Sequence, residues 1–290
     1  MGLTDEVRET CARIAGDARW VSIDLDVLAL VEPGPAPQLD PERHYLEGSE
    51  ADVALYMLVV DAVNFGSGWF PTLLKRPGCS GYFTIAWSLA DRFRADGAWN
   101  TAQLRSMRTD EIADTLGQRR DHELMALYAQ ALRSLGSFLG DRGALEAIAA
   151  ARGSAERLAA QLAVGMALFA DRGFYKRAQI VPADLALAGV AAFSDLHRLT
   201  IFADNLVPHV LRCDGVLRYD ERLAAHIDSE RPLRPGPQER EIRACAVHAC
   251  EQIARREGAS AHELDNWLWS RGQAAAYKST PRHRCRTVYY

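Results

Sequence analysis

No stretch of this 290-residue chain reaches 18 consecutive apolar residues, so no transmembrane helix is expected. The opening MGLTDEVRET lacks the basic and apolar blocks of a signal peptide. Glu6 also stands where a myristoylation signal needs Ser or Thr. Cysteine is sparse: six residues, at 11, 79, 213, 245, 250 and 285, include no Cys-x-x-Cys pair and make no disulfide scaffold. Cys245, His248 and Cys250 crowd one segment, but on a helix 245 and 248 share a face while 250 points away. Buried thiols and no metal are expected there. A glycine-rich phosphate loop, β-α alternation and a repeat of fixed period are all missing, which excludes nucleotide-binding α/β classes and solenoids. Positive charge is not in excess: 34 Lys and Arg face 38 Asp and Glu, a net charge of −4. That balance argues against a duplex-DNA or anionic-membrane surface and leaves room for one small basic pocket. The expectation is a cytoplasmic monomer with a small-molecule substrate and neither a membrane nor a nucleic-acid partner.

What remains is helix. SEADVALYMLVVDAVNF (49–65) begins at a capping Ser49 and stops at Gly66-Ser67-Gly68. GYFTIAWSLADRFRADG carries apolar positions at 82, 85, 86, 89 and 93 and ends on glycine. DHELMALYAQALRSLGSFLG, SAERLAAQLAVGMALFAD and PADLALAGVAAFSDLHRLTIFAD read the same way. GPQEREIRACAVHACEQIARREG is acid-first and base-last, matching the helix dipole. SAHELDNWLWSRG carries the pattern of a capping box, Ser260 with Glu263, and a C′ glycine at 272. The proline-rich VEPGPAPQLDPERHY (31–45) reads as an extended excursion. The fold class is therefore all-α: one mostly helical domain over 1–290, with residues 1–45 as an N-terminal helical and extended cap.

Four segments carry polar or aromatic residues that this pattern does not require. They are His44 with VNFGSGWFP (Asn64, Phe65, Trp69), GFYKRAQ (Lys176, Arg177), FADNLVPHVL (Phe202, Asp204) and LDNWLW (Asp265, Trp269). In the third, Pro208 cannot donate to the carbonyl of Asp204, so a helix must kink or begin anew there. Asp204 then either caps the new start through the N–H of Leu206 or Val207, or points into the space that the break opens. Asp265 and Trp269 lie one turn apart on one face. Each has a plain structural alternative: solvated charges at Lys176 and Arg177, packing at the tryptophans, a first-turn acid at Asp265.

Taken in order, VNFGSGW, GYFTIAWSLADR, FYKRAQI, FADNLVPHVL, EREIRACAVHACE, LDNWLW and the final HRCRTVYY resemble the queuosine salvage protein family over about His44 to Tyr290. Gly68 departs from that family's NF-x-FW form, in which an aromatic is usual. The resemblance implies an all-helical fold related to helix-hairpin-helix DNA glycosylases. It also implies hydrolysis of queuosine 5′-phosphate to queuine and ribose 5-phosphate, without a cofactor. Asp204 would be the catalytic carboxylate, His44, Phe202 and Asp265 would contact the base, and Lys176 would lie near the sugar-phosphate. Asn64, Phe65 and Trp269 complete the expected substrate-binding set.

The chemistry suits a carboxylate. Breaking an N-glycosidic bond builds positive charge on the sugar, which a fixed negative charge stabilises more than it stabilises the substrate. Activating water, or direct attack, are alternative roles for the same group. Queuine is a 7-deazaguanine without an N7 to protonate, so the departing base must be stabilised at its other edges. The chain also ends PRHRCRTVYY, where Arg282, Arg284 and Arg286 accompany an aromatic pair. Either this is a solvated basic tail, or its tyrosines dock and hold an arginine against one phosphate. The rival functions are a glycosylase for another nucleoside or DNA base, and a binding protein that sequesters queuine or its nucleotide without cleaving it.

Overall fold

A computed structural model describes residues 2–35 and 37–290. Fifteen α-helices, three short 3₁₀ helices and one two-stranded sheet account for its regular structure among the described residues, and no helix is long and apolar enough to cross a membrane. Eight helices position the site: α1 Leu3–Gly16, α2 Glu50–Ala62, α3 Gly81–Asp96, α4 Glu123–Leu139, α5 Lys176–Leu187, α6 Val207–Cys213, α7 Pro237–Glu257 and α8 Ala261–Arg271. Strand β1 (Val21–Ile23) pairs antiparallel with β2 (Leu217–Tyr219), Ser22 opposite Arg218.

Local signals set most ends. The Ser49 hydroxyl accepts the Asp52 N–H at 3.2 Å, and Ser80 does the same for Phe83 at 3.2 Å. Gly97 and Gly258 end their helices at φ +78° and +64°, a conformation that costs other residues a steric clash.

The core divides into two main apolar clusters. One is built on α2, α3 and α4 around Tyr56, Leu89 and Leu132; the other is built on α6, α7 and α8 around Val210, Val247 and Leu268. The N-terminal segment makes two extensive contacts with the body. Helix α1 packs along α7 with Val7 and Cys11 fully buried in the second cluster, and β1 supplies half of the sheet. The proline-rich excursion runs irregularly afterwards. Its later residues, among them Gln38, Asp40 and His44, form one wall of a cavity between the clusters.

Three other expectations change. The run 182–204 is not helical throughout: α5 starts earlier, at Lys176, passes through Pro182 and stops at Leu187 before Gly189 (φ +74°). Beyond a short turn at Leu196–Arg198, residues 199–203 form neither helix nor strand. The Ser260 capping box does not form, because the Ser260 hydroxyl donates to the Glu263 carboxylate instead of accepting a backbone N–H. Gly272 is not a left-handed cap (φ −61°); a Cβ there would lie 2.8 Å from Leu206, so glycine serves the close approach of α8 to α6.

Candidate active site

The irregular segment 199–203 is held by buried side chains. Thr200 N–H donates to Gln179 Oε1 at 3.0 Å, Phe202 N–H donates to Asp265 Oδ1 at 2.8 Å, and the Ala203 carbonyl accepts from Arg243 Nε at 2.8 Å. Arg243 is itself fixed by ion pairs to Asp171 and Glu239. Buried polar groups are costly unless paired, so this segment has one conformation rather than several.

Asp204 follows directly. Its Oδ1 accepts the N–H of Leu206 at 2.6 Å and of Val207 at 3.3 Å, and α6 begins at Val207 with Pro208 in its first turn. The proline thus forces a new helix rather than a kink, and Asp204 caps it. Both of those bonds use Oδ1, leaving Oδ2 for the cavity that Asp204 lines. Capping and pocket are one arrangement.

FYKRAQ does four separate jobs. The Phe174 ring lies 3.9 Å from the Arg243 guanidinium. Tyr175 adopts a left-handed φ of +50°, held by its hydroxyl donating to Glu6 at 2.9 Å, and this turns Lys176 inward as the first residue of α5. Arg177 is fully buried between the rings of Phe65 and Phe169, donating to the carbonyls of Ala62 at 2.7 Å and Val288 at 2.8 Å. Neither basic residue is a solvated surface charge.

All eight residues singled out for the site, His44, Asn64, Phe65, Lys176, Phe202, Asp204, Asp265 and Trp269, line one cavity of about 710 Å³. That volume suits a nucleotide. Lys176 Nζ donates to the Asn64 carbonyl at 3.3 Å; burial pushes its ammonium down, against the pull of Asp204 and then Asp61. Burial, then the charge of Asp204, pushes Asp265 up from 3.8 to about 8. His44 Nδ1 donates to the Asp40 carbonyl at 3.0 Å, and its Nε2 meets the Tyr82 hydroxyl at 3.2 Å. Trp269 stands edge-on to Tyr82 and Phe83, with centroids 5.5 and 5.6 Å away. Trp69 stays out of the cavity lining and donates its indole N–H to Glu123 at 2.7 Å.

Sequence reading missed several residues here. Asp184 lines the cavity and Asp61 supports it from behind; a lone acid within the apolar run YMLVVDAV was the available signal. Tyr82, Phe83 and Lys75 were also missed.

The basic tail is docked. Tyr290 is buried, its main-chain oxygen accepting Gly66 N–H at 2.8 Å, and its ring lies 4.6 Å from the Arg243 guanidinium. Gly68 admits the tail: a Cβ there would come 2.4 Å from the Cys285 carbonyl oxygen. Arg286 leaves the site and pairs with Glu123 at 3.5 Å, whereas Arg282 and Arg284 line the cavity beside Lys75. Burial, then the charges of Arg284 and Arg282, pushes the Lys75 ammonium down, and burial lowers Arg282 against the pull of Asp204. Cys245 and Cys250 are buried thiols, pushed up by burial, and no group of three His, Cys, Asp or Glu side chains is placed to hold a metal among the described residues.

Fold and cavity together describe an all-helical protein with a nucleotide-sized pocket, rich in carboxylates at its centre and cationic at its rim. The chain belongs to the queuosine salvage protein family, whose profile matches residues 43–290. It is 35% identical over 315 residues to a Sphaerobacter thermophilus protein named queuosine 5′-phosphate N-glycosylase/hydrolase, covering 98% of this chain and 97% of that one. A Nematostella vectensis protein of the same name is 27% identical over 298 residues, 87% of this chain and 85% of its own. A Dictyostelium discoideum protein so named is 38% identical over 127 residues, 40% of each.

Proposed function

We propose that this protein hydrolyses the N-glycosidic bond of queuosine 5′-phosphate, releasing queuine and ribose 5-phosphate. The observation that carries the reading is Asp204: one oxygen tied to the start of α6, the other free in a nucleotide-sized cavity. A carboxylate held this way needs no reorganisation as positive charge develops on the sugar, which is the condition for strong electrostatic stabilisation. Lys176 lies beside it at the reacting centre. Phe202 and Trp269 offer flat surfaces for the base, and base–aromatic stacking contributes roughly 1–3 kcal/mol per base. Asp265, with Oδ1 already accepting Phe202 N–H, presents its second oxygen to a guanine-type edge. Lys75, Arg282 and Arg284 suit the 5′-phosphate, since charge-assisted bonds to phosphate are strong ones. The six cysteines are all unpaired, which suits the reducing cytoplasm, and the substrate is a small molecule acted on by a monomer.

Chromatography of queuosine 5′-phosphate after incubation with trace protein tests the reading. Free queuine must appear catalytically; intact nucleotide recovered in full would make the protein a binder. The nucleotide is expected to react much faster than the bare nucleoside. Replacing both Lys75 and Arg284 by Ala is expected to remove most of that preference while the nucleoside rate changes less. Equal rates on nucleotide and nucleoside in the unaltered protein would end the phosphate assignment.

Asp265 carries a separate prediction. Its folded value of about 8 lies above the ordinary 3.8, so the folded protein holds a proton that the unfolded chain has released. Stability from this group is full below about pH 4 and is lost as pH rises toward 8. Asp265→Asn keeps an acceptor for Phe202 N–H without the buried charge. It is expected to melt higher than the unaltered protein at pH 8, with a flatter melting profile between pH 5 and 8, yet to bind free queuine more weakly in calorimetry. An unchanged pH profile together with unchanged affinity would assign Asp265 to neither role.

A further inference from the structure

The mechanism above leaves one pair of groups unused. Asp61 on α2 is wholly buried, and its Oδ2 meets no hydrogen-bond donor. The carboxyl of Asp184 on α5 lies against it, and Asp184 lines the cavity. Among the described residues no hydrogen bond from a Lys, Arg or amide N–H reaches the Asp184 carboxyl, although the charge of Lys176 acts on both carboxyls. Two carboxyls in contact in a dry site cannot both ionise, so they share one proton and keep one negative charge between them. Burial raises both, as that arrangement requires.

The position of the pair within the cavity is informative. One face of α5 lines the wall through Lys176, Ile180 and Asp184. Two helical turns put Lys176 and Asp184 about 12 Å apart along the axis. Lys176 answers first to Asp204, and Asp204 acts on Arg282, which neighbours Arg284. Asp184 answers first to Asp61 and then to Lys176, and it is the foremost of the charges that act on Tyr82. Tyr82 in turn faces His44 and Trp269. The cavity therefore has a cationic end, a reacting centre at Asp204, and an acidic, aromatic-walled end.

Queuosine 5′-phosphate has the complementary order of charge: phosphate, sugar, base, then a side arm whose secondary amine is protonated at neutral pH. We propose that Asp184, supported by Asp61, is the counter-ion for that ammonium and so selects nucleotides of 7-deazaguanines that carry a cationic side arm. The inference rests on the queuosine-nucleotide reading and names a part of the substrate which that reading left unassigned. Asp265, one oxygen of which is committed to Phe202 N–H, remains with the base edge. A single net negative charge on the pair matches a single ammonium, and the Tyr82–Trp269 wall lies beside the apolar ring that carries it.

The test compares queuosine 5′-phosphate with 7-deazaguanosine 5′-phosphate, which has the same base edge and phosphate but no arm. Asp184→Asn is expected to lower kcat/KM for the arm-bearing nucleotide at least about tenfold more than for the arm-less one, mainly through KM, the factor equivalent to about 1.4 kcal/mol of lost charge pairing. Asp184→Glu, which keeps the charge, must retain the preference. If Asp184→Asn does not fold, Asp184→Ser removes the same charge with a smaller side chain. Equal losses on both nucleotides, or an unchanged KM for the arm-bearing one, would overturn the assignment. Should the unaltered protein release no base from either nucleotide, the catalytic reading fails separately. Calorimetry of free queuine against 7-deazaguanine, in the unaltered protein and Asp184→Asn, then decides the side-arm contact alone.

Discussion

Asp204→Asn is expected to lower base release by roughly a hundred- to a thousandfold, the usual cost of removing one well-placed electrostatic group. Its melting temperature is expected to change little. The amide oxygen of Asn can accept the same N–H groups of Leu206 and Val207 that Asp204 Oδ1 accepts at 2.6 and 3.3 Å, and Asn caps helices as well as Asp does. What the substitution removes is the charge at Oδ2, which no hydrogen bond of the fold uses among the described residues. Binding of the nucleotide is expected to persist, because the group acts on the transition state more than on the ground state. Melting curves, calorimetry and single-turnover rates on the same preparation separate the two roles. A variant that loses stability while its folded fraction stays fully active would show that Asp204 only caps α6.

Deleting residues 282–290 is expected to abolish the cooperative melting transition rather than merely slow the enzyme. The segment is built into the fold, and Val288 packs against the first cluster. Cys285 is fully buried, with His283 and Tyr290 nearly so. Its loss leaves Gly66 N–H without the Tyr290 oxygen, Leu233 N–H without the Arg284 carbonyl it meets at 2.7 Å, and Asn205 without the His283 carbonyl at 3.3 Å. Arg177 suffers more. No carboxylate pairs with it among the described residues, so beyond the rings of Phe65 and Phe169 its hydrogen bonds go to the carbonyls of Ala62, Leu168 and Val288, and the deletion takes the last of these. A buried donor left unsatisfied costs about 1–3 kcal/mol, more for a charged group. Several such losses together reach the 5–15 kcal/mol that hold a typical domain folded. A truncated chain that melts like the intact one would return the tail to the dispensable ends that chains usually have.

Local pattern located much of this in advance, and its failures have identifiable causes. Helix α7 was legible from Pro237 to Gly258 because dipole-matched charges and a terminal glycine are read within one turn. The cap on α6 was legible because Pro208 withholds its bond from a carbonyl four residues back. By contrast, 199–203 resembled helix because it is apolar, yet its backbone groups are answered by Gln179, Asp265 and Arg243, from other parts of the chain. Apolar content alone does not distinguish a buried irregular segment from a buried helix. Gly272 was legible as a glycine that matters, but not as a contact with Leu206, since that contact lies between helices.

The sequence by itself determined where helices start and stop, which carboxylate begins α6, and that the aromatic C-terminus is poorly suited to free solution. These are properties of neighbours within about four residues, where backbone hydrogen bonds and side-chain caps act. Only the tertiary structure decided that Asp61 meets Asp184, that Phe202 N–H reaches Asp265 63 residues away, and that Arg177 is stitched to Val288 across 111 residues. Such meetings follow from the packing of two apolar clusters around a cavity. Packing energy is non-directional and short-ranged, so nothing in the local order of residues specifies which distant polar groups it will bring together.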